Sequence, residues 1–283
     1  MLVQLTNVTK QYKDFHLNCT LEIRSDSVTG LIGANGAGKS TTFKAILGLI
    51  HPDGGTVRVM GKESKNLTTK DRQEIGTVLS DSGFSGYLTV AQIAGFMGDL
   101  YPKFNRKEFE KQCVRFKIPL KKKLKEFSTG MRAKLKVLLA VSYQARLLIL
   151  DEPTAGLDVT AREDILDLLR AYMEVPGRAI LISSHISSDL EQFCDDIYMI
   201  DKGQIMLHEE TDVILENYGV LKMSPEEYAH IDKDHLLRVK QESFGYSGLT
   251  DNRYFYQENY PQIAVEKGSV DEVISMIVRG ETL

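Results

Sequence analysis

The sequence predicts an α/β fold: a core with a mostly parallel sheet, an N-terminal antiparallel β subdomain, an inserted helical subdomain and a small C-terminal α+β extension. Residues 147–150 and 179–183 are near-continuous apolar runs, which are typical of parallel strands covered on both faces. Between them, residues 161–172 repeat apolar side chains at helical spacing and complete a strand–helix–strand unit. The third observation is a glycine-rich turn at residues 33–38 that joins a strand to a helix.

Short β-strands dominate the N-terminal part of the chain. Apolar and polar residues mix at residues 2–8, 15–23 and 56–61 with polar turns between them, which predicts the antiparallel subdomain. Residues 27–32 predict a compact strand that leads into the glycine-rich turn. Residues 39–50 predict a helix, which a following His-Pro-Asp-Gly-Gly segment ends.

The rest of the chain divides into a charged helical insertion and a C-terminal part of different character. Residues 84–143 are mostly helical in pattern and rich in charge. Later in the chain the pattern changes to mixed helix and aromatic-rich loop, so we expect a main domain at residues 1–210 and a small domain at residues 211–283. The six aromatic residues within residues 244–260 form either the core of that small domain or a contact surface for a second subunit or a regulator.

Composition and charge argue against several classes of protein. The 283 residues are 42% hydrophobic and 26% charged, as in an ordinary globular protein, and a net charge of −4 provides no bulk electrostatic reason to bind nucleic acid. Three cysteines without a Cys-x-x-Cys pair argue against a disulfide framework or a zinc site and suit a reducing cytosol. The sequence has neither a signal-peptide pattern nor an apolar run long enough to span a bilayer, so we expect membrane contact only through a partner.

The segment GANGAGKS, residues 33–40, has the context that a phosphate-binding P-loop requires, because it follows a strand and begins a helix. Its glycines let backbone N–H groups turn inward around phosphates, and the helix N-terminus adds a positive dipole. We expect Lys39 to reach the β- and γ-phosphates, Ser40 to bind Mg²⁺ and Thr41 to contact a further phosphate oxygen. A glycine turn with a surface lysine is the alternative. The other loop residues that we expect to bind the nucleotide are Asn35, Gly36, Ala37 and Gly38.

Two carboxylates follow the apolar run in LLILDE, residues 147–152. Asp151 is placed to hold Mg²⁺, directly or through water, and Glu152 can orient and deprotonate an attacking water. An acidic turn after a core strand is the alternative, but the P-loop in the same chain favours catalysis. The core is therefore expected to be a P-loop NTPase.

Taken in order, these motifs resemble those of the ATP-binding subunits of ABC transporters over about residues 2–210. FSTGM, residues 127–131, resembles the family's signature loop, usually LSGGQ: Ser128 and Gly130 match, and two other positions differ. Ser128 can cap the helix that follows, whose N-terminus would present N–H groups to an anion. The resemblance implies that this anion is the γ-phosphate of ATP held by a second ATP-binding subunit, identical or different.

Three further residues are assigned by the same resemblance. AGLD, ending at Asp158, resembles the D-loop that crosses the dimer interface. His185, just past a predicted strand, matches the switch histidine that contacts the γ-phosphate, although a lone histidine is more often structural. Tyr12 matches the aromatic residue that stacks on adenine, although it can equally cover a sheet edge. Because ligands bind beyond the carboxyl ends of parallel strands, the P-loop, Asp151 and His185 are expected at one crevice.

One position departs from the family's pattern. In IGTVLSDSG, Ser80 stands where the family has a glutamine that touches Mg²⁺ and the attacking water, and Asp81 lies beside it. Asp81 can bind the metal as a hard oxygen ligand, Ser80 can do so more weakly, or neither reaches the nucleotide. In this departure the chain resembles subfamilies that are associated with the export of antimicrobial or toxic peptides.

The resemblance implies an Mg²⁺-dependent ATPase that powers the translocation of a substrate by a separately encoded integral membrane subunit. The implied direction is export, and peptides are a candidate substrate. The implied location is the cytoplasm, peripheral on the inner face of the cell membrane. One alternative is a soluble ABC-type ATPase that acts on the ribosome or DNA, but those relatives typically carry two cassettes or a long coiled coil. Another is a regulatory module without turnover, against which Glu152 argues.

We expect the membrane subunit to dock at residues 81–104. Capping-box spacing in TVAQ predicts a helix from Val90, one face of which packs inward. Phe84, Tyr87 and Phe96 then form an exposed patch suited to an interface. The alternative is that these three aromatic residues fill the core of the helical subdomain.

Overall fold

The computed structural model describes residues 1–80 and 82–281, which form two β-sheets and the helices packed on them. The larger sheet has ten strands, which in chain order are β1 (Val3–Gln11), β2 (His16–Ile23), β3 (Ser27–Ile32), β4 (Gly54–Val59), β5 (Lys62–Glu63), β6 (Ile75–Val78), β7 (Leu147–Asp151), β8 (Ala179–Ser184), β9 (Asp196–Asp201) and β10 (Gln204–Glu210). Across the sheet they lie in the order β5-β4-β1-β2-β10-β9-β3-β8-β7-β6.

The central strands β9, β3, β8, β7 and β6 are parallel, and the sheet continues through β10 into the antiparallel set β1, β2 and β4. Every residue of β3, β7 and β8 is buried, which explains why their sequences are nearly continuous apolar runs. The predicted parallel core and N-terminal antiparallel part are confirmed. The carboxyl ends of the central strands therefore lie along one edge of the sheet.

In the described part of the chain, seven α-helices accompany this sheet. They are α1 (Lys39–Ile46), α2 (Thr69–Arg72), α3 (Val90–Leu100), α4 (Arg106–Arg115), α5 (Thr129–Val141), α6 (Val159–Met173) and α7 (Ser187–Phe193). No helix in the described ranges is long and apolar enough to cross a membrane.

Helix α1 is shorter than predicted. The sequence indicated residues 39–50, but the helix ends at Ile46. Gly48 has a φ of 65° and lies against the carbonyl group of Ser64, where a side chain would collide with the backbone. The Arg72 guanidinium donates a hydrogen bond to the carbonyl oxygen of Leu47 at 2.7 Å. A tertiary contact thus ends the helix before the Pro-Asp-Gly-Gly signal.

The helical insertion consists mainly of α3, α4 and α5. Thr89 and Gln92 form both hydrogen bonds of a capping box, and α3 begins at Val90 as predicted. The buried face of α3 joins the same apolar core as the inner face of α4 and the length of α5. Tyr101 after α3 stacks on Tyr143 after α5 at a ring distance of 4.0 Å, which ties the insertion together.

The smaller sheet is antiparallel and lies in a region that contains α8 (Thr211–Asn217), β11 (Gly219–Met223), α9 (Pro225–His230), β12 (Leu236–Glu242), β13 (Gly245–Thr250), α10 (Arg253–Asn259), β14 (Ala264–Lys267) and α11 (Val270–Arg279). Its four strands have the order β12-β13-β11-β14. Of the six aromatic residues, Tyr256 is fully buried in this region's core and three others pack against it, whereas Phe244 and Tyr254 are exposed.

The C-terminal region is also attached to the main sheet's helices. The backbone N–H of Val270 in α11 donates to Glu191 Oε1 in α7 at 2.8 Å, and apolar residues of α11 belong to the core of the main sheet. The division into domains at residues 1–210 and 211–283 stays a prediction.

Candidate functional site

The glycine-rich loop between β3 and α1 forms one wall of a crevice. Gly38 has a φ of 121°, which residues with a side chain rarely adopt, so a glycine is required directly before α1. At Gly33 a side chain would collide with the carbonyl oxygen of Ile200 in β9, which packs the loop against the sheet. Lys39 is buried, and its Nζ donates to the carbonyl oxygens of Gly33 at 2.5 Å and Ala34 at 3.3 Å. The ammonium group therefore lies across the loop, where a P-loop binds phosphates.

Asp151, at the carboxyl end of β7, accepts hydrogen bonds from three hydroxyl groups. Ser183 donates to Oδ1 at 2.8 Å, whereas Ser40 and Ser80 each donate to Oδ2 at 3.1 Å. The Asp151 side chain is buried, and the three donors hold it in one orientation. Ser80, which stands where the resemblance implies a glutamine, thus reaches the same carboxylate as the P-loop serine.

Glu152 has an unusual backbone conformation, and its two carboxylate oxygens face different neighbours. Its φ is 52°, in the left-handed region, and its backbone N–H donates to the Ser183 hydroxyl at 3.0 Å. Oε2 lies 2.5 Å from His185 Nδ1 and also accepts the backbone N–H of His185 at 3.2 Å. Oε1 lies 3.6 Å from Lys39 Nζ and has no hydrogen-bond partner in the described part of the chain. A constrained backbone thus presents a buried carboxylate oxygen that can accept a proton.

The crevice beside these residues has a volume of about 680 Å³. It is within the size range of small-molecule sites, about 300–1,000 Å³. Tyr12 lies on its wall with 41% of its surface exposed. The residues of the predicted site that line it are Tyr12, Asn35, Gly36, Gly38, Lys39, Ser40, Thr41, Asp151 and Glu152. His185 does not line it but contacts it through Glu152.

Other predicted residues lie away from the crevice lining. Ala37 is buried beneath the loop. The exposed Ser128 caps α5 by accepting the Met131 N–H at 3.2 Å, and the exposed Asp158 caps α6 by accepting the Ala161 N–H at 2.8 Å.

A side chain at Gly130 would approach Ala161 of α6 to 3.1 Å, so the first turns of these two helices lie close together. Ser128, Gly130 and Asp158 do not line this chain's own crevice. Asp81, which was also expected to bind the metal, lies outside the described residues.

Two residues of the candidate site escaped the sequence analysis. Ser183 bonds both carboxylate residues, and Phe15 lies on the crevice wall with its ring 6.4 Å from that of Tyr12. Ser183 could have been found from strand pairing, because β7 and β8 are parallel neighbours in which Asp151 faces Ser183. Phe15 had no signal beyond its closeness to Tyr12 in the sequence.

The oxygen atoms around Asp151 fit a magnesium ion. Two serine hydroxyls and one carboxylate are hard donors, and Mg²⁺ is usually held by one or two carboxylates together with substrate phosphates and water. No group of three or more His, Cys, Asp or Glu side chains that could hold a metal occurs among the described residues. The donor set therefore suits a metal that the nucleotide's phosphates help to bind.

Comparisons with known proteins agree with this fold. A family model described as "ABC transporter" matches residues 17–155. The ABC transporter ATP-binding protein YtrB of Bacillus subtilis is 30% identical over 250 residues, which cover 88% of this chain and 82% of YtrB. The bacitracin transport ATP-binding protein BcrA of Enterococcus faecalis is 31% identical over 209 residues, or 72% of this chain and 68% of BcrA.

A solved structure described as an ATP-binding subunit of an ABC transporter is 25% identical, with a TM-score of 0.68, and the match covers 76% of this chain and 92% of that one. The glycine-rich loop, the paired carboxylates and the parallel sheet occur here in the order and arrangement that the resemblance implied. The chain belongs to the ABC transporter family, as an ATP-binding subunit with ATPase activity.

Proposed function

We propose that the chain binds Mg²⁺-ATP in the crevice and that its hydrolysis powers export, with peptides as the substrate class, by a separately encoded membrane subunit. The observation that carries the proposal is the Glu152 carboxylate, which is held between Lys39 and His185 beside the hydroxyl-bonded Asp151. This arrangement supplies a phosphate-binding cation, a proton acceptor and oxygen donors for a metal within one crevice.

The chain's residues take distinct roles in this reaction. Lys39 Nζ is held by carbonyl oxygens of the loop and would move to the β- and γ-phosphates when these fill the crevice. Glu152 Oε1 orients the attacking water and accepts its proton, since Oε2 is engaged by His185. Because His185 Nδ1 faces Glu152, Nε2 is the nitrogen left to contact the γ-phosphate.

The remaining groups position the nucleotide. Ser40, Ser80 and Asp151 would hold Mg²⁺, which neutralises charge on the β- and γ-phosphates when bound. The loop's backbone N–H groups and Thr41 would bind phosphate oxygens, and Tyr12 would stack on adenine. An exposed aromatic ring at the mouth of a crevice suits a flat base.

A second ATP-binding subunit, identical or different, completes each site in this proposal. Ser128 and Gly130 at the start of α5 and Asp158 at the start of α6 are displayed away from this chain's crevice. An N-terminus with free N–H groups favours an anion, so the start of α5 suits the γ-phosphate held by the opposite subunit. The two subunits would pair head to tail, related by a twofold axis if they are identical.

The membrane subunit is proposed to dock beside the helical insertion. Phe84, Tyr87 and Phe96 have 42%, 72% and 48% of their surface exposed, so they do not fill the insertion's core. A cavity of about 220 Å³ lies between Phe84 and the Tyr101 ring. Exposed aromatic residues, one of which lines a cavity, suit a helix from a partner. We call this surface the aromatic groove and define it by Phe84, Tyr87 and Phe96.

Export of peptides and a place on the cytoplasmic face of the membrane follow from the same proposal. BcrA is named for the transport of bacitracin, which supports an antimicrobial compound as the substrate class. The replacement of the family's glutamine by Ser80 is the sequence feature that agrees with this assignment.

Co-purification with the membrane subunit tests the proposal. The membrane protein encoded by a neighbouring gene is expected to co-purify with the chain and to raise its Mg²⁺-dependent ATPase rate. Changing Phe84 and Tyr87 together to Ser should abolish co-purification and keep the parent's thermal melting temperature, because both side chains are exposed. Full co-purification of the melting-stable double variant would place the docking site elsewhere. A membrane protein that neither binds the parent nor changes its ATPase rate would contradict the transport role.

A further inference from the structure

Charge is distributed unevenly along this chain. Residues 84–143 contain 13 of the 35 Lys and Arg residues but only four of the 39 Asp and Glu residues. The helical insertion thus has a net charge of +9, whereas the rest of the chain has −13, and only their total gives the −4 of the whole. The overall charge therefore conceals a strongly basic region.

The densest part of this region is residues 117–125, which we call the lysine loop. It contains five lysines in nine residues, and all five side chains are exposed: Lys117, Lys121, Lys122, Lys123 and Lys125. Within the described ranges, four of these ammonium groups have neither an ion pair nor a hydrogen bond, and that of Lys125 lies 5.0 Å from the centre of the Tyr87 ring.

Several lysines elsewhere in the described structure are paired with carboxylates. Lys10, Lys62 and Lys103 each lie 2.6–2.7 Å from a carboxylate oxygen, and Lys134 lies 2.9 Å from one. The lysine loop differs because its positively charged side chains lie close together in the sequence and have no carboxylate partners in the described structure. Like charges held close together repel one another, so an external anionic partner would lower the free energy of this region.

The backbone of the lysine loop is fixed. Leu124 N–H donates to the carbonyl oxygen of Leu88 at 2.9 Å, and Lys125 N–H donates to that of Gly86 at 2.8 Å. The Arg132 guanidinium donates to the carbonyl oxygens of Leu124 and Lys125 at 3.2 and 3.1 Å. The buried Leu124 and Phe127 anchor the segment from below. The lysines are therefore displayed from a rigid surface.

The lysine loop adjoins the aromatic groove, since Tyr87 belongs to the groove and its ring contacts Lys125. If the groove receives the membrane subunit, as in the proposed function on which this inference rests, the lysine loop lies at the same side of the molecule as the bilayer. Exposed lysines beside an exposed tyrosine are typical of membrane–water interfaces.

We propose that the lysine loop binds the anionic headgroups of the membrane surface directly. A flat anionic bilayer can contact one basic face and leave the acidic remainder of the molecule in water. A long nucleic acid would extend over surfaces with a net charge of −13, which repel it. This lipid contact would add to the expected contact through the membrane subunit and would orient the ATPase before the subunit docks.

Vesicle binding by the full chain tests this inference without the membrane subunit. The probes are vesicles of phosphatidylcholine alone and vesicles with about one-third phosphatidylglycerol. The parent is expected to sediment with the anionic vesicles only, and less at high salt because screening shortens the range of the attraction. Each lysine near an anionic surface contributes about a fivefold factor in partitioning, so K121Q/K122Q/K123Q should bind about a hundredfold more weakly.

A control variant matches the change in total charge. K65Q/K70Q/K267Q neutralises three exposed lysines far from the loop in the sequence and should bind anionic vesicles as the parent does. Equal binding of the loop variant and the parent would overturn the proposal, and so would an equal loss in the control. Tighter binding of the parent to a 20-nucleotide RNA, lost in the loop variant, would assign the loop to nucleic acid instead.

ATP hydrolysis by the same preparations separates the two proposals. The three loop lysines lie outside the nucleotide crevice, so the loop variant should hydrolyse ATP at the parent's rate. If the parent hydrolyses ATP and binds its membrane subunit but does not bind anionic vesicles, only the lipid-contact proposal is contradicted. A parent that binds anionic vesicles but neither binds nor responds to the membrane subunit contradicts the transport proposal.

Discussion

Ser183 connects Asp151 and Glu152, the two carboxylate residues proposed to act in catalysis, so its removal is a sharp test of the site's geometry. Its buried hydroxyl donates to Asp151 Oδ1 at 2.8 Å and accepts the Glu152 N–H at 3.0 Å. Ser183→Ala removes both contacts with little change in shape. The Glu152 N–H keeps a weaker bond to the Ser183 carbonyl oxygen at 3.2 Å, so the main loss is the hydrogen bond to the charged Asp151.

A hydrogen bond to a charged group contributes about 1.5–3 kcal/mol, so Ser183→Ala should lower the free energy of unfolding by about 2 kcal/mol. Turnover should fall about 10- to 100-fold, as is typical when a partner that orients a metal-binding carboxylate is removed. Urea unfolding followed by circular dichroism and the steady-state ATPase rate at saturating Mg²⁺ and ATP measure the two effects.

Ser27→Ala provides the matched control for this variant. The Ser27 side chain is also buried, but its hydroxyl donates to the carbonyl oxygen of Arg24, away from the crevice. The control should lose about 1 kcal/mol of stability and keep the parent's turnover number. If Ser183→Ala hydrolyses ATP at the parent's rate, or if both variants lose turnover equally, the positioning role of Ser183 is wrong.

Two further predictions concern the phosphate clamp and the metal. Lys39→Ala should lose most ATP affinity, because it removes the cation that reaches the phosphates. Titration with a fluorescent ATP analogue measures this affinity, and an affinity equal to the parent's would refute the P-loop assignment. Ser80→Ala removes one of the hydroxyls on Asp151 Oδ2 and should raise the Mg²⁺ concentration needed for half-maximal turnover several-fold. If Asp81 reaches the metal, Asp81→Ala should have a larger effect than Ser80→Ala; negligible effects of both changes would show that neither residue binds it.

Much of this fold follows from local sequence pattern. β3, β7 and β8 are buried on both faces, so nearly every residue in them is constrained to be apolar or small, and the pattern identifies them. The capping box at Thr89 determines where α3 starts through contacts within four residues. The P-loop is similarly local, because backbone N–H groups from consecutive residues bind the phosphates.

Features that depend on distant contacts escaped the sequence pattern. The end of α1 is determined by the approach of Gly48 to Ser64 and by the Arg72 guanidinium on the Leu47 carbonyl oxygen. The left-handed backbone of Glu152 is likewise held by Ser183 on the neighbouring strand. Neither effect can be read from a window of neighbouring residues.

Glu152→Gln tests most directly the central claim that ATP is hydrolysed by Glu152 at an interface of two subunits. The amide keeps the shape of the side chain but cannot accept the proton from water, so this variant should bind Mg²⁺-ATP without turning it over. Glu163→Gln, a change at an exposed glutamate on α6, is the control and should resemble the parent.

Light scattering on the purified chain, with and without Mg²⁺-ATP, is the deciding measurement. If identical subunits pair, Glu152→Gln should form a dimer with two bound ATP molecules only when ATP is present, while the parent and the control return to monomer as they hydrolyse it. A Glu152→Gln variant that remains monomeric at every concentration and hydrolyses ATP at the parent's rate would contradict the account.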